Sequence, residues 1–492
     1  MADELLSPLD LAFWNLDSPG HPMYLGAVAV FERDPEHPVD AEGLAALITA
    51  RAENAPRMRQ RVRDVWYGVG GAAWAPDEHF DVRRHVHAVR RADTSAAVAE
   101  LMSRPMDREH PPWEVYVIEG APDAPVSVLV KLHHALADGL RAVEFGAVLL
   151  DQGARPAPTT APAQRVEGGN ARPAAVPAPP APRQPAGLHL PALPGLPGLP
   201  GLAGLPGLPA LPDPRQVVAS LPSRMREAGR ALGIGSAVLR ASLDPGGPAA
   251  LGAAPRHGGA PRRFAGASLD VDDMHRVRKT SGGTVNDVVM AVVAGALRRW
   301  MESRGDDPDG PGPRALIPVA RRRRKGVRGG RGNRISGYLL RLPVGEADPL
   351  ARLRGVREGM DRNKAAGPDT GPGAVALLAD SVPPLAHRFA APLLAASARL
   401  LFDVLVTNVP MLDVPLTLDG CRMTELHPIA PLARGQSLAV AISTYRGRVH
   451  IGLFADATAV PDADALAAAL HGSLAELLAA CGEGEDGPRR QP

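Results

Sequence analysis

Two adjacent histidines, His133 and His134, are the residues best suited to chemistry, and Asp138 and Gly139 follow them in the pattern His-His-x-x-x-Asp-Gly. Histidine has an unperturbed pKa near neutrality, so it can take a proton from a hydroxyl or thiol and return it. A nearby aspartate can orient an imidazole or hold a loop, and glycine permits a turn and a close backbone approach. Since the pattern arises by chance in about three per thousand chains of this histidine content, it indicates acid–base catalysis.

A metal site or a buried core pair is the alternative interpretation of the two histidines. Adjacent side chains on a strand point in different directions, so they are poor joint ligands for one metal ion. No cluster of cysteine or glutamate stands beside them in the sequence. We therefore expect no metal and interpret the pair as catalytic.

The motif lies where a strand is followed by a helix. The apolar, β-branched residues 126–132 predict a buried strand, and residues 139–150 predict a helix. A strand-to-helix turn exposes side chains at the end of a sheet, where sites are commonly built. The rest of the first half predicts strands at 25–31 and 113–119 and a helix at 41–52.

The second half repeats this mixture of helices and strands. Residues 284–287 (Thr-Val-Asn-Asp) have the form of a capping box, and they open an apolar, buried helix that ends near Trp300. Strands are predicted at 315–319 and 404–408, and a hairpin at 437–443 and 449–454 around Arg446-Gly447. Asp462 caps a last helix with one apolar stripe, formed by Leu466, Leu470, Leu474 and Leu478.

A connector rich in glycine and proline separates the two halves. The chain has 52 glycines and 52 prolines among 492 residues, and many of the prolines lie between 151 and 220. Glycine recurs at every third position from Gly195 to Gly207, but the run is too short for a collagen helix and predicts an extended linker. Contact of its leucines with lipid or with a partner surface is the alternative. Residues 215–243 predict one or two short helices. We expect a domain at 1–152, the connector at 153–261 and a domain at 262–492.

Composition excludes several classes of protein. The net charge of +2 is far below that of a dedicated nucleic-acid binder. The two cysteines, Cys421 and Cys481, exclude a disulfide scaffold and favour a reducing compartment. The N-terminus lacks the pattern of a signal peptide, and no uncharged apolar run has the length of a membrane span. We therefore expect a cytoplasmic protein, or one that lies on a membrane surface.

The motif at 132–139 (LHHALADG) resembles the active-site motif of the CoA-dependent acyltransferase superfamily, which includes chloramphenicol acetyltransferase, carnitine acyltransferases and peptide-synthetase condensation domains. The rest of the chain narrows the resemblance to the bacterial wax ester synthase/diacylglycerol acyltransferase family. The matching segments cover both halves and leave only the connector outside; they are LSPLDLAFW (6–14), PMYLGAVAVFE (22–32), PMDREHPPWEVYVIEG (105–120), GGTVNDVVMAVVAGALRRW (282–300), ALIPVARR (315–322), GNRISGYLLRLPV (332–344), TNVP (407–410) and GQSLAVAISTYRGRVHIGLFAD (435–456).

The resemblance implies an α/β fold with mixed sheets, built as two chloramphenicol-acetyltransferase-like sandwich domains with the site in a channel between them. His134 would be the general base that activates the acceptor hydroxyl for direct attack on the thioester, without an acyl-enzyme. His133 and Asp138 would shape the loop, and Gly139 would give access. Asn286 and Asp287 match the family's Asn-Asp motif as substrate-binding residues; a role confined to the helix N-terminus is equally open.

The same resemblance implies the reaction. A long-chain acyl group would pass from acyl-CoA, a co-substrate, to diacylglycerol or a long-chain alcohol, with no cofactor and no nucleic acid involved. Because the substrates are lipids, we expect peripheral association with the inner face of the plasma membrane or with lipid inclusions. Two departures put the loop shape and the acceptor preference in doubt: Met411-Leu412 replaces the family's Gly-Pro, and Ala320 replaces its serine.

Four alternatives stay open at this point. The basic run 321–325 is either a solvated loop or a site for CoA phosphates or anionic lipid headgroups. The apolar face of residues 385–402 either packs in the core or meets a membrane. The enzyme could instead act on a specialised metabolite, as condensation-type enzymes do with a carrier protein. A non-catalytic lipid-binding scaffold is the last alternative, and the intact histidine motif argues against it.

Overall fold

A computed structural model describes residues 4–33, 40–65, 71–121, 124–137, 139–151, 251, 261–320, 335–367, 401–409, 411 and 414–483. Nearly all of the expected connector, the basic run 321–325, residues 385–400 of the apolar segment and Asp138 lie outside these residues. The expectations for them stay predictions.

The first half alternates strands and helices. Its elements are β1 (Glu4–Leu5), α1 (Pro8–Leu16), β2 (Tyr24–Phe31), α2 (Ala41–Glu53), β3 (Gln60–Val65), β4 (Gly71–Pro76), β5 (Val86–Arg90), α3 (Thr94–Ser103), β6 (Trp113–Glu119), β7 (Val126–His133) and α4 (Gly139–Leu149). The predicted strands at 25–31, 113–119 and 126–132 are confirmed, as are the helices at 41–52 and 139–150. The helix α1 was not predicted; Ser7 caps it by accepting from the Asp10 N–H at 3.2 Å.

The second half has twelve elements among the described residues. They are β8 (Arg262–Asp270), α5 (Val271–Ser281), α6 (Val285–Ser303), β9 (Arg314–Ala320), β10 (Ile335–Arg341), α7 (Pro349–Ala366), β11 (Val404–Val409), β12 (Thr417–Leu418), β13 (Cys421–Ile429), β14 (Leu438–Tyr445), β15 (Arg448–Asp456) and α8 (Ala463–Glu483). The predicted hairpin is β14–β15. Its turn residues Arg446 and Gly447 both have positive φ, 48° and 74°, the conformation of the tight turns that join twisted strands.

Two six-stranded mixed sheets carry the fold. The first has the strand order β12-β13-β2-β7-β6-β5, and the second has the order β10-β9-β11-β14-β15-β8. Parallel pairs, such as β5 with β6 and β11 with β14, occur beside antiparallel ones. The expected α/β class with mixed sheets is confirmed.

One strand of the second half completes the sheet of the first. β13 pairs antiparallel with β2, so that Pro428 lies opposite Ala27, and β2 pairs in turn with β7. The local patterns did not indicate this exchange, and the domain boundaries at 152 and 262 stay a prediction. Because of this pairing, only β2 separates β13, a strand from late in the chain, from β7, which ends at His133.

The two sheets approach each other closely at β13. A Cβ atom added to Gly452 of β15 would overlap the carbonyl oxygen of Pro428, so only glycine fits at this position. The same region holds a hydrophobic cluster to which both halves contribute, with Tyr24 and Val28 from the first and Ile429 and Phe454 from the second. The halves therefore share a core.

The second half packs around α6, which is buried on nearly all sides as predicted. Helix α8 contacts α6 through its apolar stripe, of which Leu466, Leu470 and Leu474 are buried as predicted. Leu477 is buried with them, whereas Leu478, the fourth predicted member, is only partly buried. Its residues Ala463–Gly482 are long and apolar enough to cross a membrane by length and composition. Because these leucines lie in the core, we interpret α8 as a core helix.

Candidate active site

The backbone of the histidine pair is held from both sides at the end of β7. The His133 N–H donates to the Pro112 carbonyl at 3.0 Å, and the His134 N–H donates to the Met23 carbonyl at 2.8 Å. In the β2–β7 register, Tyr24 lies opposite His133. Hydrogen bonds to neighbouring segments therefore fix the backbone positions of both histidines.

His133 is a buried, neutral imidazole with a defined tautomer. Its Nδ1 accepts a hydrogen bond from the Ala135 N–H at 3.0 Å, so the ring proton must sit on Nε2. Burial, with the nearby Arg108 cation, holds the pKa of His133 well below its usual value. This ring therefore organises the turn between β7 and α4 and is poorly placed to take up a proton.

His134 presents a different surface. It is half-buried, and its ring stacks on Phe13 of α1 with the ring centroids 3.9 Å apart and the planes 17° from parallel. Its Nδ1 atom is buried. Of the two histidines, His134 is therefore the one that is only partly buried.

Helix α1 and the residue that caps its end place a neighbour beside each ring. Phe13 stacks on His134, and Trp14 meets His133 edge-on with the centroids 4.8 Å apart. The carboxylate of Asp17, the C-cap residue, has its Oδ2 3.8 Å from Nε2 of His133. The sequence interpretation did not identify these three residues as part of the site. A Ser-Pro-x-Asp start at Ser7 was the available signal for the helix.

Asp17 also reaches His134 through one residue. Its Oδ1 accepts from the Met23 N–H at 2.8 Å, and the carbonyl of the same residue accepts from the His134 N–H. Burial raises the pKa of Asp17, and the Met23 N–H, Arg108 and Lys131 oppose that rise. Asp17 thus contacts both the ring of His133 and the segment that holds His134.

A buried polar cluster around Lys131 of β7 lies close to the histidine pair. Lys131 of β7 is fully buried, and its Nζ donates to Glu114 Oε2 at 2.8 Å and to the Arg104 carbonyl at 2.7 Å. The ammonium group also lies 4.8 Å from the ring centre of Tyr24. Since every proton donor of such a buried cation needs a partner, this arrangement fixes β6 and β7 relative to each other.

Asn286 and Asp287 lie in the first turn of α6 and have different partners. Asp287 is buried; its Oδ2 accepts from the backbone N–H and the hydroxyl of Thr284, both at 2.8 Å, which confirms the capping box. Asn286 is half-buried, and its Oδ1 accepts from Nδ2 of the exposed Asn408 at 3.5 Å. Asn408 belongs to the TNVP segment and was not singled out from the sequence. Substrate binding by Asn286 and Asp287 stays a prediction.

The remaining motif residue, Gly139, is the first residue of α4.

Among the residues that the structure describes, no group of three or more histidine, cysteine, aspartate or glutamate side chains is arranged to hold a metal ion. Cys421 and Cys481 are both buried, free thiols.

The fold is similar to that of two solved acyltransferases. A wax ester synthase/diacylglycerol acyltransferase from Marinobacter aquaeolei VT8 matches with a TM-score of 0.64 and 24% identity, covering 97% of this chain and 100% of that one. A trichothecene 15-O-acetyltransferase from Fusarium sporotrichioides matches with a TM-score of 0.57 and 12% identity, covering 97% and 94%. Such identities establish the fold alone.

Sequence comparison then places the chain within this class. A family model for the wax ester synthase/diacylglycerol acyltransferase catalytic domain matches residues 6–289, and one for the C-terminal domain of the same family matches residues 331–478. The chain belongs to the wax ester synthase/diacylglycerol acyltransferase family and is an acyltransferase.

Two relatives from Mycobacterium tuberculosis match over nearly the full chain. One probable diacylglycerol O-acyltransferase is 28% identical over 489 residues, covering 96% of each protein. A second is 29% identical over 501 residues, covering 97% of this chain and 100% of the relative. The resemblance stated from the sequence is therefore confirmed at the level of the family.

Proposed function

We propose that this protein transfers a long-chain acyl group from acyl-CoA to the hydroxyl of diacylglycerol or of a long-chain alcohol. The observation that carries the proposal is the difference in environment between the two adjacent histidines. His133 is buried and neutral with its Nδ1 engaged, whereas His134 is half-buried and stacked on an aromatic ring. The names of the mycobacterial relatives and of the family support the choice of substrates.

In the proposed reaction, His134 acts as the general base through Nε2, because its Nδ1 is buried. The acceptor hydroxyl gives its proton to the imidazole while its oxygen attacks the thioester carbonyl carbon. The tetrahedral intermediate then collapses, the carbon–sulfur bond breaks, and the imidazolium returns the proton to the CoA sulfur. One ester and one thiol form, and no acyl-enzyme or cofactor is required.

The other predicted residues have supporting roles in this proposal. His133 holds the turn through the Ala135 N–H, and Gly139 opens the approach to His134. For Asp138, which lies outside the described residues, we propose a role in shaping the same loop. Asn286, paired with Asn408, contributes a polar group to the substrate channel, and Asp287 fixes the start of the helix that carries it.

A peripheral position on the cytoplasmic face of a membrane or on lipid inclusions follows from lipid substrates. In the described part of the chain the exposed large apolar side chains are Leu5, Val148 and Val414, which are 65%, 44% and 38% exposed. Sedimentation of the purified protein with phospholipid vesicles or triolein droplets tests this. Protein that stays in the supernatant with both would contradict it.

Radiolabelled palmitoyl-CoA, offered with diolein and with hexadecanol in separate reactions, tests the activity. We expect labelled triacylglycerol, labelled wax ester or both. Folded protein that binds palmitoyl-CoA but acylates neither acceptor would contradict the proposal, and would favour a specialised acceptor or a binding protein.

A further inference from the structure

Phe13 forms the closest aromatic contact of the histidine pair. Its ring lies almost parallel to that of His134, with the centroids 3.9 Å apart. The contact joins the middle of α1 to the end of β7, two segments far apart in the chain. The stack covers one face of the imidazole and leaves it little freedom to rotate.

A parallel stack affects the two protonation states of histidine differently. A neutral imidazole on a benzene ring makes an ordinary aromatic contact. An imidazolium in the same place is a cation over the negative face of the ring, and that attraction is stronger. A general base becomes an imidazolium during the proposed reaction, so a ring at this position favours the charged state that the reaction passes through.

We propose that Phe13 is a positioning residue for acyl transfer, because its ring holds the His134 imidazole in one orientation and stabilises it when it has taken the acceptor's proton. This inference rests on the proposed role of His134. It assigns Phe13 an effect on the rate and on proton affinity, beyond its packing.

Several other charged or titratable groups surround the pair, and the Phe13 substitutions leave them unchanged in the sequence. They are Asp17 beside α1, Tyr24 of β2, Arg108 before β6, and Lys131 and His133 of β7. Opposite shifts of the acid limb in Phe13→Leu and Phe13→Trp, absent from the control below, would assign the change to the ring at position 13.

The test measures kcat and the pH profile of kcat/KM for wild type, Phe13→Leu and Phe13→Trp. Removing the ring should lower kcat about two- to tenfold and lower the pKa of the base, moving the acid limb about half a pH unit to lower pH. Tryptophan, which binds cations more strongly, should keep the rate and move the limb to higher pH. If Phe13→Leu does not fold, the shift of the acid limb in Phe13→Trp is the test of the inference.

Phe80→Leu is the matched control. Phe80 also stacks on a histidine, His85, with centroids 5.4 Å apart and planes 23° from parallel, outside the histidine pair. We expect it to leave kcat and the acid limb unchanged. An acid limb that stays at the wild-type pH in both Phe13 variants would overturn the inference.

A His134→Ala variant separates this inference from the proposed function. Turnover that survives in His134→Ala overturns both of them. Turnover that is lost in His134→Ala, together with unshifted acid limbs in the Phe13 variants, overturns the inference alone.

Discussion

The Oδ2 atom of Asp17 lies 3.8 Å from Nε2 of His133, the nitrogen that carries the ring proton. This separation is longer than a hydrogen bond, but the carboxylate still favours the Nε2–H tautomer electrostatically. Asp17 also accepts a hydrogen bond from the Met23 N–H, and the Met23 carbonyl accepts one from the His134 N–H. Asp17 therefore links the ring of His133 to the backbone that holds His134.

Replacing Asp17 by asparagine should separate activity from stability. The variant keeps the shape but loses the charge that orients His133, and we expect kcat to fall about tenfold, equivalent to about 1.4 kcal/mol in the barrier. Burial raises the pKa of Asp17, so its ionised form costs folding free energy above that pKa. At pH 7 the thermal midpoint of the variant should equal or exceed that of wild type.

Thermal melting and steady-state kinetics on the same preparation check this pair of effects. Asp93→Asn is a suitable control, because Asp93 also uses its carboxylate to accept a backbone N–H, that of Ala96, but at the exposed N-terminus of α3. A variant of Asp17 with wild-type kcat, or with a midpoint lowered at pH 7, would show that this account of the carboxylate is wrong.

The close approach of β13 and β15 predicts a sensitive glycine. Gly452→Ala should destabilise the fold by about 2 kcal/mol, because the added methyl group meets the Pro428 carbonyl oxygen and must push β13 away. Since β13 pairs with β2, and β2 with β7, kcat should fall as well. Denaturant unfolding and the acyl-transfer assay measure the two effects.

Gly146→Ala in α4 is the matched control for Gly452→Ala. A Cβ atom at Gly146 meets no heavy atom within 4 Å, and alanine is the better helix former. We expect it to stabilise the protein by about 0.5–1 kcal/mol. If Gly452→Ala were as stable as this control, the two sheets could not be in such close contact.

The buried His450 predicts how stability depends on pH. Its Nδ1 is hydrogen-bonded to Ser268 Oγ at 2.8 Å, and burial, reinforced by His427, lowers its pKa from 6.5 to about 4. A depressed histidine pKa gives stability that is present above the unfolded value and is lost as the pH falls towards the folded one. Between pH 6.5 and 4, this group should remove up to about 3 kcal/mol from the free energy of unfolding.

Denaturant unfolding of wild type and His450→Gln at pH 7, 5.5 and 4.5 measures that loss. Glutamine does not titrate in this range, so the stability gap between the two proteins should narrow as the pH falls. Curves that run parallel across the range would contradict the assignment. His133, whose pKa is also lowered, leaves a residual slope in both proteins.

Local patterns in the sequence predicted those elements that depend on neighbouring residues. The capping box at Thr284 predicted the start of α6, the apolar, β-branched residues 126–132 predicted β7, and Arg446-Gly447 predicted the β14–β15 turn. Each of these signals acts within a few residues, where propensity and hydrogen bonding decide the conformation.

Long-range contacts were not accessible from one sequence. The pairing of β13 with β2 joins segments from opposite ends of the chain, and nothing in residues 421–429 specifies that partner. For the same reason the histidine pair was identified from its motif, whereas Phe13 and Asp17 emerged only from the folded arrangement.

The comparison of His134→Ala with His133→Gln tests the central claim most directly. Palmitoyl-CoA turnover with the preferred acceptor, palmitoyl-CoA binding and thermal melting are measured for both. We predict that His134→Ala loses about a thousandfold or more in kcat while it still folds and binds palmitoyl-CoA, and that His133→Gln loses stability as well as activity. Turnover by folded His134→Ala within about tenfold of wild type would contradict the assignment of His134 as the base.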